Sequence, residues 1–177
     1  RINGSFANGN MPFINADFGA GKAFLENIER NRKIDKMGFV GHFTNGAKRA
    51  VSTMEFSLTE MSASLGKGTF KGSVVVKNFE SPEVDMQIDS DFDLEFIADF
   101  FELEQVQNAS GNIELRMNFH DIIDIDQPEK ALQKLNQAYF AALKVENLSL
   151  DAEELPVPLD SLNVDLVMKG KEARLKQ

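Results

Sequence analysis

Apolar residues fall on every second position through much of Gly66–Phe119. Between Met86 and Glu95, Met, Ile, Phe and Leu alternate with Gln, Asp and Glu, and Ile113–His120 repeats the pattern with Glu, Arg, Asn and His as the polar partners. A period of two predicts antiparallel strands with one apolar face and one solvated face. A sheet of this kind must shield its apolar face from water, and what shields it is the functional question.

The periodicity along the chain predicts a mainly β fold. We expect a curved antiparallel meander sheet, forming an open groove or half-barrel, with two short helices. The first helix is predicted over Asp93–Leu103, where apolar residues change to helical spacing and Ser90 or Asp91 can cap the start. The second is predicted over Pro128–Tyr139, because proline is well tolerated in the first turn of a helix.

Local signals predict how some strands connect. Asn45–Gly46 is the strongest short hairpin signal, and it predicts a tight turn followed by a return strand over Ala50–Leu58. Lys169–Glu172 indicates a second hairpin tip, and Lys22–Ile34 indicates a short helix or an irregular crossing. Residues 1–177 are interpreted as a single β-rich fragment, of which 1–38 show the weakest alternation.

Composition excludes several function classes. A formal net charge of −9 without a block of Lys and Arg argues against nucleic-acid binding. The absence of Cys excludes disulfides and thiolate chemistry. Fifteen Phe against one Tyr and no Trp favour a wholly apolar environment over a wet interface. The chain begins with Arg1, so we interpret it as part of a longer protein.

Three motifs resemble ligand loops and fail on a required position. Asp89–Asp93 opens like a calcium loop, but Leu94 stands where glycine is needed and Phe100 where glutamate is needed. We interpret it as the solvated side of a strand followed by a helix cap. Gly19–Ala23 echoes a phosphate loop without its leading glycine or its Ser/Thr. Gly66–Gly68 lacks the third glycine of a dinucleotide loop and is interpreted as a turn.

Catalytic and metal chemistry find no support in the sequence. His120, Asp121, Asp124 and Asp126 could supply metal ligands, but a solvated turn is the better interpretation, since His42 is the only other histidine. Paired carboxylates in a period-two context point into solvent and lack an apolar pocket that would raise a pKa. We therefore expect no enzyme activity, no catalytic residues, no metal and no cofactor.

The order of several short motifs resembles the AsmA-like family. The motifs are Leu58–Val74, Asn78–Phe79, Ser81–Glu83, Asp91–Leu94, Ser110–Ile113, Glu146–Leu150 and Leu155–Leu159. Together they cover roughly residues 39–168 and are similar to the C-terminal region of AsmA-like proteins from Bacteroidetes-type bacteria.

The resemblance implies a large envelope protein, anchored in the inner membrane with its bulk in the periplasm. Such proteins are similar to bridge-like lipid-transfer proteins, in which repeated strands form a curved sheet with an apolar channel. A role in lipid transport or outer-membrane assembly follows, with phospholipid or another acyl lipid as ligand and an envelope protein as a further candidate partner. The family implies no catalytic motif and no fixed ligand residues, only an apolar surface.

The candidate site is therefore one face of the sheet. Its predicted residues are Phe56, Phe70, Val74, Val76, Met86, Ile88, Ile113, Leu115, Met117 and Phe119. The same residues could simply form a closed core with the two helices. A rival hypothesis from another class is a structural or interaction β-domain that binds a protein partner through its sheet edges.

Overall fold

The computed structural model describes residues 2–5, 12–103, 106–122, 140–152, 157–170 and 172–176. These residues form one antiparallel sheet of ten strands in chain order. The strands are β1 (Ile2–Ser5), β2 (Phe13–Asn27), β3 (Arg32–Thr44), β4 (Glu55–Leu65), β5 (Gly68–Lys77), β6 (Glu83–Asp93), β7 (Val106–Ile122), β8 (Phe140–Ala152), β9 (Leu159–Lys169) and β10 (Glu172–Lys176). A 3₁₀ turn (Val51–Thr53) precedes β4, and helix α1 (Leu94–Phe100) follows β6. The first and last strands do not pair with each other, so the sheet is not closed and the predicted mainly β meander is confirmed.

The centre of the sheet is the part that strict alternation predicts best. The pairings of β5 with β6 and of β6 with β7 run without a register shift. The two-residue turn Gly66–Lys67 joins β4 to β5, with Gly66 at a φ of 65°. Glycine suits that position because a side chain there would be strained. The predicted hairpin tip near Gly170 is also present, between β9 and β10.

Irregularities flank this regular centre on both sides. Register shifts interrupt the successive pairings from β2 to β5 and again from β7 to β9. Residues with positive φ lie at these points, among them Lys22, Lys36, Glu60, Asn147 and Ser161. Such bulges add one residue to a strand, bend it and increase its twist. They restore the apolar residues beyond them to the same face.

The prediction of a helix or irregular crossing over Lys22–Ile34 is wrong. Strand β2 continues to Asn27, a turn occupies residues 28–31, and β3 begins at Arg32. The bulge at Lys22 shifts the alternation by one position, so the apolar side chains that follow imitate helical spacing. Cross-strand pairing decided the outcome, and a single-strand pattern does not contain that information.

The tight hairpin predicted at Asn45–Gly46 is also wrong. Residues 45–54 form a longer connection, and the return strand begins at Glu55 instead of Ala50. Asn45 is fully buried: its Oδ1 accepts from the Ile14 amide at 2.8 Å and its Nδ2 donates to the Pro12 carbonyl at 2.7 Å. The asparagine is therefore used to tie the start of β2 to the end of β3.

Helix α1 is shorter than the predicted Asp93–Leu103 and is capped by a different residue. The Asp93 side chain accepts a hydrogen bond from the Glu95 amide at 2.9 Å. Ser90, one of the two predicted caps, instead lies within β6, where it is buried and donates to the Thr69 carbonyl. The second predicted helix, Pro128–Tyr139, lies outside the described residues.

The packed core lies where α1 meets the sheet. Phe96 of the helix packs against Ile34 of β3 and Leu65 of β4, and these three side chains are 7%, 7% and 8% exposed. Arg32 holds the helix to β3 from the solvent side. Its guanidinium contacts Asp99 at 2.5 Å and Glu95 at 3.0 Å.

Candidate functional site

Backbone register places all ten predicted site residues on one side of four neighbouring strands. Val76 is paired with Phe56 and Val84, Val74 with Met86, and Met86 with Phe119 in turn. Ile88 is paired with Met117. Because directly opposed residues share a face, these positions form one continuous surface, which we call the apolar face. Register thus groups all ten residues on one face.

The apolar face extends beyond the predicted ten residues. On β8 it continues through Ala141, Leu143 and Val145, which are paired with Met117, Leu115 and Ile113. On β3 it includes Phe43, paired with Phe56. Ser90 lies on this face between Phe70 and Leu115, and its hydroxyl is satisfied by a backbone carbonyl. The apolar face therefore includes one buried polar residue, which was assigned from sequence to a helix cap and not to this face.

Helix α1 covers only one end of the apolar face. Its cluster with Ile34 and Leu65 includes Phe70 and Phe92 as half-buried neighbours. The other nine predicted residues lie outside that cluster, and each is half-buried. Within the part of the chain that the structure describes, α1 is the only α-helix. Considering only the described residues, the middle of the face therefore combines an apolar surface with incomplete cover.

Aromatic rings occupy the far end of the same face. Phe18 of β2 lies 6.2 Å from Phe39 and 6.3 Å from Phe56, measured between ring centroids, and remains 43% exposed. Gly41 leaves room for this ring, since a Cβ there would lie 2.3 Å from Phe18 Cε2. The glycine thus lets an aromatic ring lie across the β3 backbone and extends the apolar face to β2.

The opposite side of the sheet, which we call the polar face, carries cross-strand ion pairs. Lys144 of β8 lies 2.6 Å from Glu146 and 3.6 Å from Glu114, its partner on β7. The hydrogen bond to Glu146 raises the pKa of Lys144 above its ordinary value, and it is helped by the negative charge of both carboxylates. Arg116 and Asp89, also directly opposed, are 3.9 Å apart. These side chains are exposed, so each pair stabilises the sheet only slightly.

A depression of about 550 Å³ lies on the polar face between β4 and β8. Its lining includes Lys71, Gln87, Asp89, Arg116 and Asn118. This depression is on the side opposite to the predicted lipid surface, so its volume does not describe that surface.

Asp89 and Asp91, which opened the calcium-like motif, lie on exposed positions of β6, and Asp93 caps α1. The interpretation as a strand's solvated side plus a helix cap is confirmed.

One cluster on the polar face was missed by sequence reasoning. Glu83 and Asp85 of β6 and His120 of β7 each offer a ligand atom, and these atoms all lie within 4.8 Å of one another. From sequence, His120 was grouped instead with the acidic residues that follow it along the chain. Asp124 and Asp126 lie outside the described residues, as does the side chain of Asp121. The sequence does show Glu83 and Asp85 two positions apart on one predicted strand. That His120 lies opposite them becomes visible only from the register between β6 and β7.

Comparison with known proteins identifies no relative of this chain. No family model matches it, and neither the curated proteins nor the solved structures contain a match. The described helices include none that is both long and apolar enough to cross a membrane.

Proposed function

We propose that the apolar face binds the acyl chains of phospholipids and that the protein is a non-enzymatic component of the bacterial envelope. One observation carries the proposal: four adjacent strands present a continuous apolar surface that α1 covers at one end only. A contiguous apolar surface of this kind marks a binding site for another apolar partner.

The chemistry of the face suits a hydrocarbon chain. The ten predicted positions carry only aliphatic, Phe and Met side chains, so an acyl chain there loses no hydrogen bonds. Burial stabilises such a chain by about 0.8 kcal/mol per CH₂. Along β6 the stretch from Val84 to Phe92 extends for roughly 27 Å at the usual rise per residue, which accommodates an extended chain.

The resemblance to AsmA-like proteins supplies the proposed setting. On this basis we propose that the chain lies in the periplasm, as part of a parent protein anchored in the inner membrane, with a role in lipid transport or outer-membrane assembly. Fractionation of the native host tests this location, since the proposal requires the parent protein in the envelope fraction. Recovery in the cytoplasmic fraction would contradict the proposed setting and leave the lipid surface to be judged separately.

Lipid extraction from the purified protein tests the binding surface. Leu115 lies on the apolar face between Ser90 and Leu143. We expect Leu115→Asp to abolish co-purifying phospholipid, because a buried carboxylate against acyl chain has no partner. Met117→Gln conserves volume and is the milder variant, and it should reduce the lipid content while keeping the fold. Lipid content is measured by native mass spectrometry, and folding by circular dichroism.

The matched control is Asn118→Asp, which introduces the same charge on the exposed side of the same strand. Its lipid content should equal that of the parent, because alternate residues face opposite sides. A well-folded parent without lipid, or equal lipid loss in Met117→Gln and Asn118→Asp, would reject the proposed site.

A second candidate function is protein binding through a sheet edge. Strand β1 is paired with residues 13–16 of β2. Within the part of the chain that the structure describes, positions 18–27 of β2 have no neighbouring strand on that side. An unpaired edge offers backbone groups for strand addition. A photo-crosslinking residue at exposed Lys22 would then capture a protein partner in cells, whereas one at Lys71, in the sheet centre, would not. Equal capture at both positions would contradict edge pairing.

A further inference from the structure

We propose that Glu83, Asp85 and His120 form a binding site for a divalent transition-metal ion such as Zn²⁺ on the polar face. The proposal concerns the side of the sheet opposite to the apolar face, so it stands independently of lipid binding. It replaces the expectation from sequence that His120 belongs to a solvated turn.

Strand pairing brings the three side chains together. Asp85 is directly opposed to His120, and Glu83 precedes Asp85 by two positions on the same side of β6. His120 Nδ1 contacts Asp85 Oδ1, and Nε2 lies 3.6 Å from Glu83 Oε1. The β6–β7 pairing is unshifted from Glu83 to Asp93, so the backbone holds these positions in fixed relation.

The spacing of the donor atoms is close to that of a metal site. One ligand atom from each residue lies within 4.8 Å of the other two. Bonds of about 2.1 Å in a tetrahedral arrangement separate ligand atoms by about 3.4 Å. An ion at this site therefore requires the half-exposed side chains to rotate until the donor atoms reach that separation, with a single ring nitrogen of His120 facing the ion.

The charges of the cluster favour the state with a bound cation over the state without one. Glu83 and Asp85 place two negative charges beside one imidazole, and a divalent ion between them removes their repulsion. The opposite neighbour of Asp85 is Val75 of β5, which has no polar side-chain atom to compete for the carboxylate. The neighbour of Glu83 is Lys77, which offers one cationic competitor.

The donor set indicates which class of ion fits. One imidazole nitrogen with two carboxylate oxygens suits Zn²⁺ and its neighbours in the first transition row, whereas Ca²⁺ and Mg²⁺ prefer oxygen ligands alone. Three protein ligands leave at least one position for water. The roughly half-exposed side chains of His120 (52%), Asp85 (48%) and Glu83 (46%) leave the cluster open to an entering ion.

The chain contains a natural control in its other histidine. His42 of β3 is directly opposed to Asp17 of β2, with Nδ1 at 2.6 Å from the carboxylate. His42, like His120, lies on the polar face, because Ser57, Val75 and Asp85 link the two in one row of register. Within the described residues, His42 belongs to no group of three or more metal-ligating side chains. The two pairs therefore share the His–Asp geometry and differ in the third donor.

Zn²⁺ titration of the full 177-residue chain, free of any histidine tag, tests the site by isothermal calorimetry. We expect one saturable site, with Ca²⁺ binding at least tenfold more weakly. His120→Gln should weaken Zn²⁺ binding at least tenfold, and Glu83→Gln and Asp85→Asn should each weaken it severalfold. His42→Gln should leave the affinity unchanged, and circular dichroism confirms that each variant is folded.

The NMR signals of the His120 ring should shift on Zn²⁺ addition, with those of His42 unaffected. Binding without saturation, unchanged affinity in folded His120→Gln, or equal losses in the two histidine variants would overturn the proposal. Because lipid content is measured separately on the apolar face, failure here leaves the proposed lipid function standing.

Discussion

One end of the apolar face and its middle differ in how they are covered. At one end, Ile34 and Leu65 are sealed by Phe96 of α1 and keep no more than 8% of their surface exposed. In the middle, Leu115 and Met117 are the same kind of side chain and stay half-buried. The comparison shows that alternation determines which way a residue faces, whereas a separate element of the chain determines whether that face becomes a core or remains a binding surface.

The largest expected difference between the two regions comes from the same truncation made in each. Leu65→Ala should lower the free energy of unfolding by about 2–5 kcal/mol, because it opens a cavity in a sealed core. Leu115→Ala should cost less than about 2 kcal/mol in lipid-free protein, because solvent already reaches that side chain. Urea denaturation measures both. Equal losses would mean that the middle of the face is also sealed.

A second test adds a methyl group at a glycine of each region. A Cβ at Gly68, beside the α1 core, would lie 2.0 Å from the Asp91 carbonyl oxygen, whereas one at Gly21 of β2 meets nothing within 4 Å. Gly68→Ala should therefore destabilise the protein by about 1–3 kcal/mol. Gly21→Ala, the control, should stay within about 0.5 kcal/mol of the parent. A neutral Gly68→Ala in thermal melts would show that β5 and β6 are less closely packed.

A third test removes the ion pairs that hold α1 in place. Arg32→Met should lower the free energy of unfolding by about 0.5–1 kcal/mol at low salt, since Arg32 reaches two carboxylates of the helix. The difference in free energy of unfolding between Arg32→Met and the parent should become smaller in concentrated NaCl, because salt screens exposed ion pairs. Arg116→Met is the control on the polar face, where the pair with Asp89 is longer and more exposed, and it should change little. A salt-independent loss would point to packing of the arginine stem instead.

The smallest expected effect is a pH dependence at the bulge of β3. The Lys36 backbone amide donates to Asp35 Oδ1 at 2.9 Å, and this bond, with the nearby Lys33 ammonium, lowers the pKa of Asp35 below its usual value of 3.8. A folded-state pKa below the unfolded one contributes stability above pH 3.8 that is lost as the pH falls through the folded pKa. Asp35→Asn should therefore flatten the acid side of the stability curve. If the free energy of unfolding fell equally with pH in the parent and in Asp35→Asn, Asp35 would not be the source of this pH dependence.

The strands of the sheet centre were predictable because their side chains report directly on two different environments. Met86 and Ile88 face the apolar side and Gln87 and Asp89 face water, so the period itself defines the strand. The same reasoning failed at Lys22–Ile34, where a bulge shifts the alternation and imitates a helix. It failed again at Asn45, whose side chain is bonded to backbone groups more than thirty residues away along the chain.

The two candidate sites also differ in how far the sequence alone could predict them. That the ten predicted residues share one face follows from alternation alone, because membership of a face is a local property of each strand. The cluster of Glu83, Asp85 and His120 was not, because its members are separated along the chain and meet only through register. The cap of α1 was placed within three residues but not at Asp93, since helix ends depend on local competition for hydrogen bonds.

The sequence by itself determined that this chain forms antiparallel strands, which residues of the central strands share a face, and that this face is apolar. These properties follow from a period of two, which each strand carries alone. Only the tertiary structure decided where the bulges fall, that α1 seals one end of the apolar face, and that a histidine meets two carboxylates on the other side. Those outcomes depend on register between strands, and register is a relation between distant segments that no single segment encodes.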